Sequence, residues 1–116
     1  MDDDKMSLSG LAHEHLARAR DASSGRSAVT LYGGQQHALR QTLIALAAGR
    51  RLDEHENPGE ATVHVLHGHV RMSTDGDTCD AAAGELVVVP DARHSLVALT
   101  DSVVLLTVAK TGQAGT

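Results

Sequence analysis

The chain has almost no aromatic side chains: Tyr32 is its only Phe, Trp or Tyr in 116 residues. That excludes a stacking platform for bases and leaves little for gripping sugars or flat rings. Cysteine is nearly absent as well. The single Cys79 rules out an intramolecular disulfide, as suits a reducing cytoplasm. It stands beside no activating lysine or helix start, so it reads as a structural thiol. Basic charge is in deficit, with 10 Lys and Arg against 15 Asp and Glu and a net charge of -5. No basic stripe stands out, which argues against a nucleic-acid partner. No apolar run approaches the ~20 residues of a membrane span, and no signal peptide is visible. A cytoplasmic protein with no membrane or nucleic-acid partner is therefore expected.

What is present is a single small domain. Residues 1 to 5 of the opening "MDDDKM" read as a protease-site remnant ahead of a native start at Met6. Residues 6 to 26 read as an N-terminal helix and loop. "LSGLAHEHLARAR" (8–20) is rich in Leu, Ala and Arg and poor in β-branched residues. Two imidazoles two apart, His13 and His15, would face different sides of such a helix. From Ser27 to Lys110 the chain alternates and turns like a series of short strands. "SAVTLY" (27–32) stops at Gly33-Gly34, "HALRQTLIALAA" (37–48) at Gly49, and "ATVHVLH" (61–67) at Gly68. "HVRMST" (69–74) runs into Asp75-Gly76-Asp77, a hairpin turn whose Asp-Gly supplies positive φ angles. "TCDAAA", "ELVVVP", "HSLVALT" and "SVVLLTVA" complete some eight strands, and residues 111 to 116 read as a flexible tail. This spacing predicts an all-β sandwich or barrel. "ELVVV" and "SVVLLTV" are almost wholly apolar, so both faces should be covered, by an opposing sheet or by a second subunit. Asp53, Glu54 and Glu56 read as a solvated turn.

Two stretches resemble the paired motifs of the small single-domain cupins. "GRRLDEHENPGEATVHVLHG" runs from Gly49 through His55 to Gly68, and "GELVVVPDARH" from Gly84 through Pro90 to His94. The resemblance implies a double-stranded β-helix, a jelly-roll barrel, which with the helix read above makes an all-β domain with a short N-terminal helix. It also implies a metal held by three imidazoles and a carboxylate facing into the barrel. On the family's pattern His55 and His94 stand at ligand positions. Asn57 stands where the second histidine belongs, and Ala61 where the carboxylate belongs. Glu60 is one residue too early, and one residue along a strand points to the opposite face. Ala61, Val63 and Val65 should face inward and His64 outward, while His67 and His69 flank a strand end.

Two classes of function follow. In the first, His55 and His94 hold a divalent Zn, Ni, Fe or Mn ion, completed by Asn57, Glu60, water or His37. Such a centre would serve a metal-dependent oxygenase or isomerase. Alternatively, Asn57, Glu60, Arg40 and Arg93 anchor a small polar ligand. In the second, the barrel is non-catalytic and metal-free, holding a metabolite or serving as the structural half of a homodimer that pairs apolar outer strand surfaces. Fold does not choose between them.

Overall fold

The computed structural model describes residues 5–55, 59–90 and 92–110, with only the backbone of Asp53, Glu54 and His55. Within them one helix, α1 (Leu8–Asp21), precedes nine strands: β1 (Arg26–Tyr32), β2 (Leu39–Leu46), β3 (Arg51–His55), β4 (Glu60–His67), β5 (His69–Thr74), β6 (Asp77–Ala82), β7 (Leu86–Val88), β8 (His94–Ala98) and β9 (Ser102–Ala109). They form a five-stranded sheet, ordered β1-β2-β9-β4-β7, and a four-stranded sheet, ordered β3-β8-β5-β6. All pairings are antiparallel, and the two sheets face each other as a jelly roll.

Alternation sets the core. Along β4, Ala61, Val63 and Val65 are buried, while Thr62, His64 and Leu66 between them are only half-buried. The inner row pairs Val65 with Val104, Val63 with Leu106 and Ala61 with Val108. Ile44 and Leu46 of β2 extend this row, and Val70, Met72, Leu96 and Ala98 of the smaller sheet close over it. The β5–β6 hairpin turns on Asp75 and Gly76, both with positive φ, as a two-residue turn joining twisted strands demands.

β3 departs from the sequence reading. Asp53 and Glu54, which read as part of a solvated turn, belong to a strand that pairs with β8 at the edge of the smaller sheet. An edge strand needs no apolar alternation, so its own sequence did not announce it. The cover of β9 also differs from expectation. The outer side of Val103 packs under α1, in a second cluster with Leu16, Ala19, Leu43 and Ala45. The helix caps that half of the larger sheet, while on β7 Leu86 and Val88 remain 61% and 73% exposed. Cys79, read as a structural thiol, is exposed on the edge strand β6.

Two polar ties fasten the helix. His15 is buried against β1, its Nδ1 2.7 Å from Ser27 Oγ. Near the helix end, Arg20 Nε donates to Asp101 Oδ2 at 2.7 Å, and Asp101 Oδ1 accepts from Ala48 N at 2.8 Å. Arg20 first, and then the Ala48 amide, hold the Asp101 carboxyl below its usual range. A folded-state value below the unfolded one gives stability above pH ~3.9 that is lost as acid protonates the folded carboxylate. Asp101→Asn should therefore unfold at lower urea than the parent at pH 7, with the gap closing below about pH 4. An unchanged gap in urea titrations at both pH values would show that Asp101 acts through geometry alone.

Candidate functional site

His94 is the one described ionisable group on the wall of the barrel's interior. It opens β8 and is 5% exposed, facing a cavity lined otherwise by apolar side chains, among them Leu52, Val63, Met72, Val89 and Leu106. The cavity is partly open, and its space accessible to a water-sized atom is about 30 Å³. A water needs roughly 10–15 Å³ of such space, so the described part of the cavity has room for a few atoms.

The ring's orientation is fixed by its own loop. Nδ1 lies 2.9 Å from the Ala92 carbonyl oxygen, which can only accept, so Nδ1 carries the proton. In the neutral ring Nε2 is then the acceptor nitrogen, the arrangement by which a backbone carbonyl orients an imidazole toward an electrophile or a metal. Directly across the β3–β8 pairing, the backbone partner of His94 is His55. The register slips between Leu52 and His55, so β3 bulges on its approach to this pair. The side chain of His55 lies outside the described residues, as does Asn57 altogether.

The other sequence candidates are dispersed. His37 is exposed beyond β1, with its Nδ1 3.4 Å from the Tyr32 hydroxyl, and does not line the cavity. Glu60 pairs with Ala109, on the same outward row as Thr62 and His64. The register is regular from Glu60 to Val65, so Glu60 points away from the interior. Arg40 lies on the inward row of β2, opposite Val108, with its stem against Gly33 rather than at the cavity. Arg93 is exposed just before β8. His64 faces outward, while His67 and His69 lie at the corner between β4 and β5. Among the described residues no three His, Cys, Asp or Glu side chains converge as a metal would require.

Sequence reasoning missed the lining itself. Met72, Leu96 and Leu52 come from the smaller sheet, and no local signal says that they meet Val63 and Val104 across the barrel. Ionisable groups with clear shifts lie elsewhere. On the outer face of the smaller sheet, Arg71 donates to both Asp80 oxygens, at 2.7 and 3.0 Å. These bonds lower the Asp80 carboxyl and raise the Arg71 guanidinium. An exposed pair of this kind is structural trim rather than catalytic equipment.

The family profile described as "Cupin domain" matches residues 42–109, more than half of the chain. A conserved protein of unknown function from Streptococcus pyogenes is 30% identical, with 78% of each chain covered and a TM-score of 0.70. An RmlC-like cupin protein from Desulfovibrio desulfuricans is 26% identical over 73% of this chain and 82% of its own, with a TM-score of 0.65. A cupin superfamily protein from Desulfitobacterium hafniense shares the fold at 17% identity, covering 74% of this chain and 78% of its own, with a TM-score of 0.68. No curated protein matches this chain.

Proposed function

Since the chain belongs to the cupin family, we propose that it is a non-catalytic member, a metal-free barrel acting as a homodimer. The observation that carries this reading is the interior: about 30 Å³ of space walled by apolar side chains and one imidazole. A catalytic metal centre needs about three protein donors around an open position, and the described interior supplies one. Among the described residues the donors do not make up a metal site.

The dimer reading rests on the uncovered half of the larger sheet. Two ladders cross its outer face, Gln41-Thr107-Thr62-Val88 and Leu105-His64-Leu86, the second continuing under α1 at Leu43. Neither ladder contains Asp, Glu, Lys or Arg, on a chain with a net charge of -5. No charge on these two ladders repels a second copy, and a two-fold interface requires a self-complementary patch.

A second reading is favoured by one specific feature. His94, oriented by a backbone carbonyl, has His55 as its backbone partner across the strand pair. An imidazole so oriented, joined by that of His55, would be the start of a divalent metal site of the oxygenase or isomerase type. Elemental analysis of the tag-free protein beside the His55→Ala, His94→Ala double variant separates the readings. Negligible metal in both supports the metal-free barrel. Stoichiometric metal in the parent, lost in the variant, overturns it in favour of the metalloenzyme.

A further inference from the structure

Away from the barrel interior, three guanidinium groups share one groove. Arg26 opens β1, Arg50 sits in the turn between β2 and β3, and Arg51 opens β3. With Ser24 and Gly49 they line a surface groove of about 530 Å³. The two segments are pinned together, since Ala47 N donates to Gly25 O at 2.8 Å and Arg50 N to Ala47 O at 3.0 Å. Gly25 has φ +71, and a Cβ there would fall 2.4 to 2.8 Å from Arg50 Nε, Cγ and Cδ. The stem of Arg50 therefore lies flat on the bare Gly25 backbone, and its Nη2 donates to Ser23 O at 3.4 Å. Arg51 Nη2 reaches Ser95 Oγ at 3.4 Å on the outward row of β8.

Among the described residues no carboxylate neutralises this groove. Arg18, Arg20 and Arg71 each pair with a carboxylate, Glu14, Asp101 and Asp80 respectively. Among the described residues Arg26, Arg50 and Arg51 form no such pair, and no acid lines their groove. Asp53 and Glu54 follow Arg51 within three residues, with side chains outside the described residues; of the described acids, Asp21 is exposed at the helix end and Asp101 is held by Arg20. Three like charges held together on an acidic protein repel one another, and an anion bridging them removes that repulsion.

We infer that this groove, formed by Arg26, Arg50 and Arg51, binds the phosphoryl group of a small molecule. A planar carboxylate has two oxygens and suits one guanidinium fork. Three guanidinium groups lining one groove offer more donors than one carboxylate can use, and suit a tetrahedral dianion with three terminal oxygens. A nucleic-acid strand fits less well, because the patch is short, the rest of the surface is acidic, and the lone Tyr32 does not line the groove. The site is independent of the barrel interior and of the dimer face, so its failure and theirs are separately visible.

The test is a titration of isotope-labelled protein with inorganic phosphate and with glycerol 3-phosphate, read by amide and arginine Nε chemical shifts. Sodium chloride and sodium acetate at matched ionic strength are the controls. Saturable shifts at Arg26, Gly49, Arg50 and Arg51, with acetate at least tenfold weaker, are expected. The triple variant R26Q/R50Q/R51Q should bind at least tenfold more weakly. If the triple variant does not fold, R50Q alone should show a several-fold loss. Tighter binding of glycerol 3-phosphate than of inorganic phosphate identifies a phosphate ester, and equal binding identifies free phosphate. Shifts that never saturate, that acetate or chloride reproduces, or that survive in the variants would overturn the assignment.

Discussion

Gly68→Ala should destabilise the protein by about 4 kcal/mol, combining backbone strain with overpacking. Against a total stability of about 5–15 kcal/mol, this is enough to unfold a marginal domain at growth temperature. The single residue Gly68 joins β4 of the larger sheet to β5 of the smaller one, with φ +87. A Cβ there would fall 2.3 Å from both Asp101 O and Ser102 Oγ, and 2.8 Å from Ser102 Cα. Those atoms are backbone or tied to it. Ser102 is 1% exposed, and its hydroxyl accepts from His69 N at 3.0 Å and donates to Thr100 O at 2.8 Å. Room for the methyl group can come only from moving the start of β9, which pairs with both β2 and β4. Gly76→Ala is the control. Its φ is +90 but nothing lies within 4 Å of an added Cβ, so only the backbone penalty of about 1 kcal/mol should appear. Thermal melts should place Gly68→Ala at least about 10 °C below Gly76→Ala. Equal melts would mean that the corner yields, and that Gly68 is needed for its φ alone.

Leu86→Glu, Val88→Glu should convert the proposed dimer into a monomer while leaving the fold in place. Both side chains are already exposed, at 61% and 73%, so the substitution removes little from the core of the single chain. In a two-fold interface the same two carboxylates would face the partner's apolar patch twice over, desolvated and unpaired. A stable interface covers about 800 Å² on each partner, and loss of its centre commonly costs far more than its rim. Light scattering should report twice the chain mass for the parent and the single mass for the variant, with unchanged far-ultraviolet circular dichroism. A parent of single mass at high concentration, or a variant still dimeric, would remove the outer face of the larger sheet as the interface.

Much of the barrel is written in short-range pattern. The alternation Ala61, Val63, Val65 names the inward row of β4, and Asp75-Gly76 names the β5–β6 hairpin, because strand pleat and turn sterics act within a few residues. The frame of Gly49, Gly68 and Gly84 likewise marks corners, all three at positive φ. The offset of Glu60 from the ligand position was also legible, and the regular register keeps that side chain on the outer face. Other features depend on residues far apart in the chain. β3 exists because β8 offers it an edge, and α1 covers Val103 because helix and sheet meet through Leu16 and Ala19. The interior volume around His94 is set by how Met72 and Leu96 fill the space facing Val63 and Val104. Arg26 meets Arg50 and Arg51 only because the Gly25 backbone docks on the β2–β3 turn. By itself the sequence determined strands, turns and the family frame, since these follow from periods of two and from backbone sterics. Only the tertiary structure decided which rows meet, how little space they leave, and where charge gathers, because non-local packing has no signature in neighbouring residues.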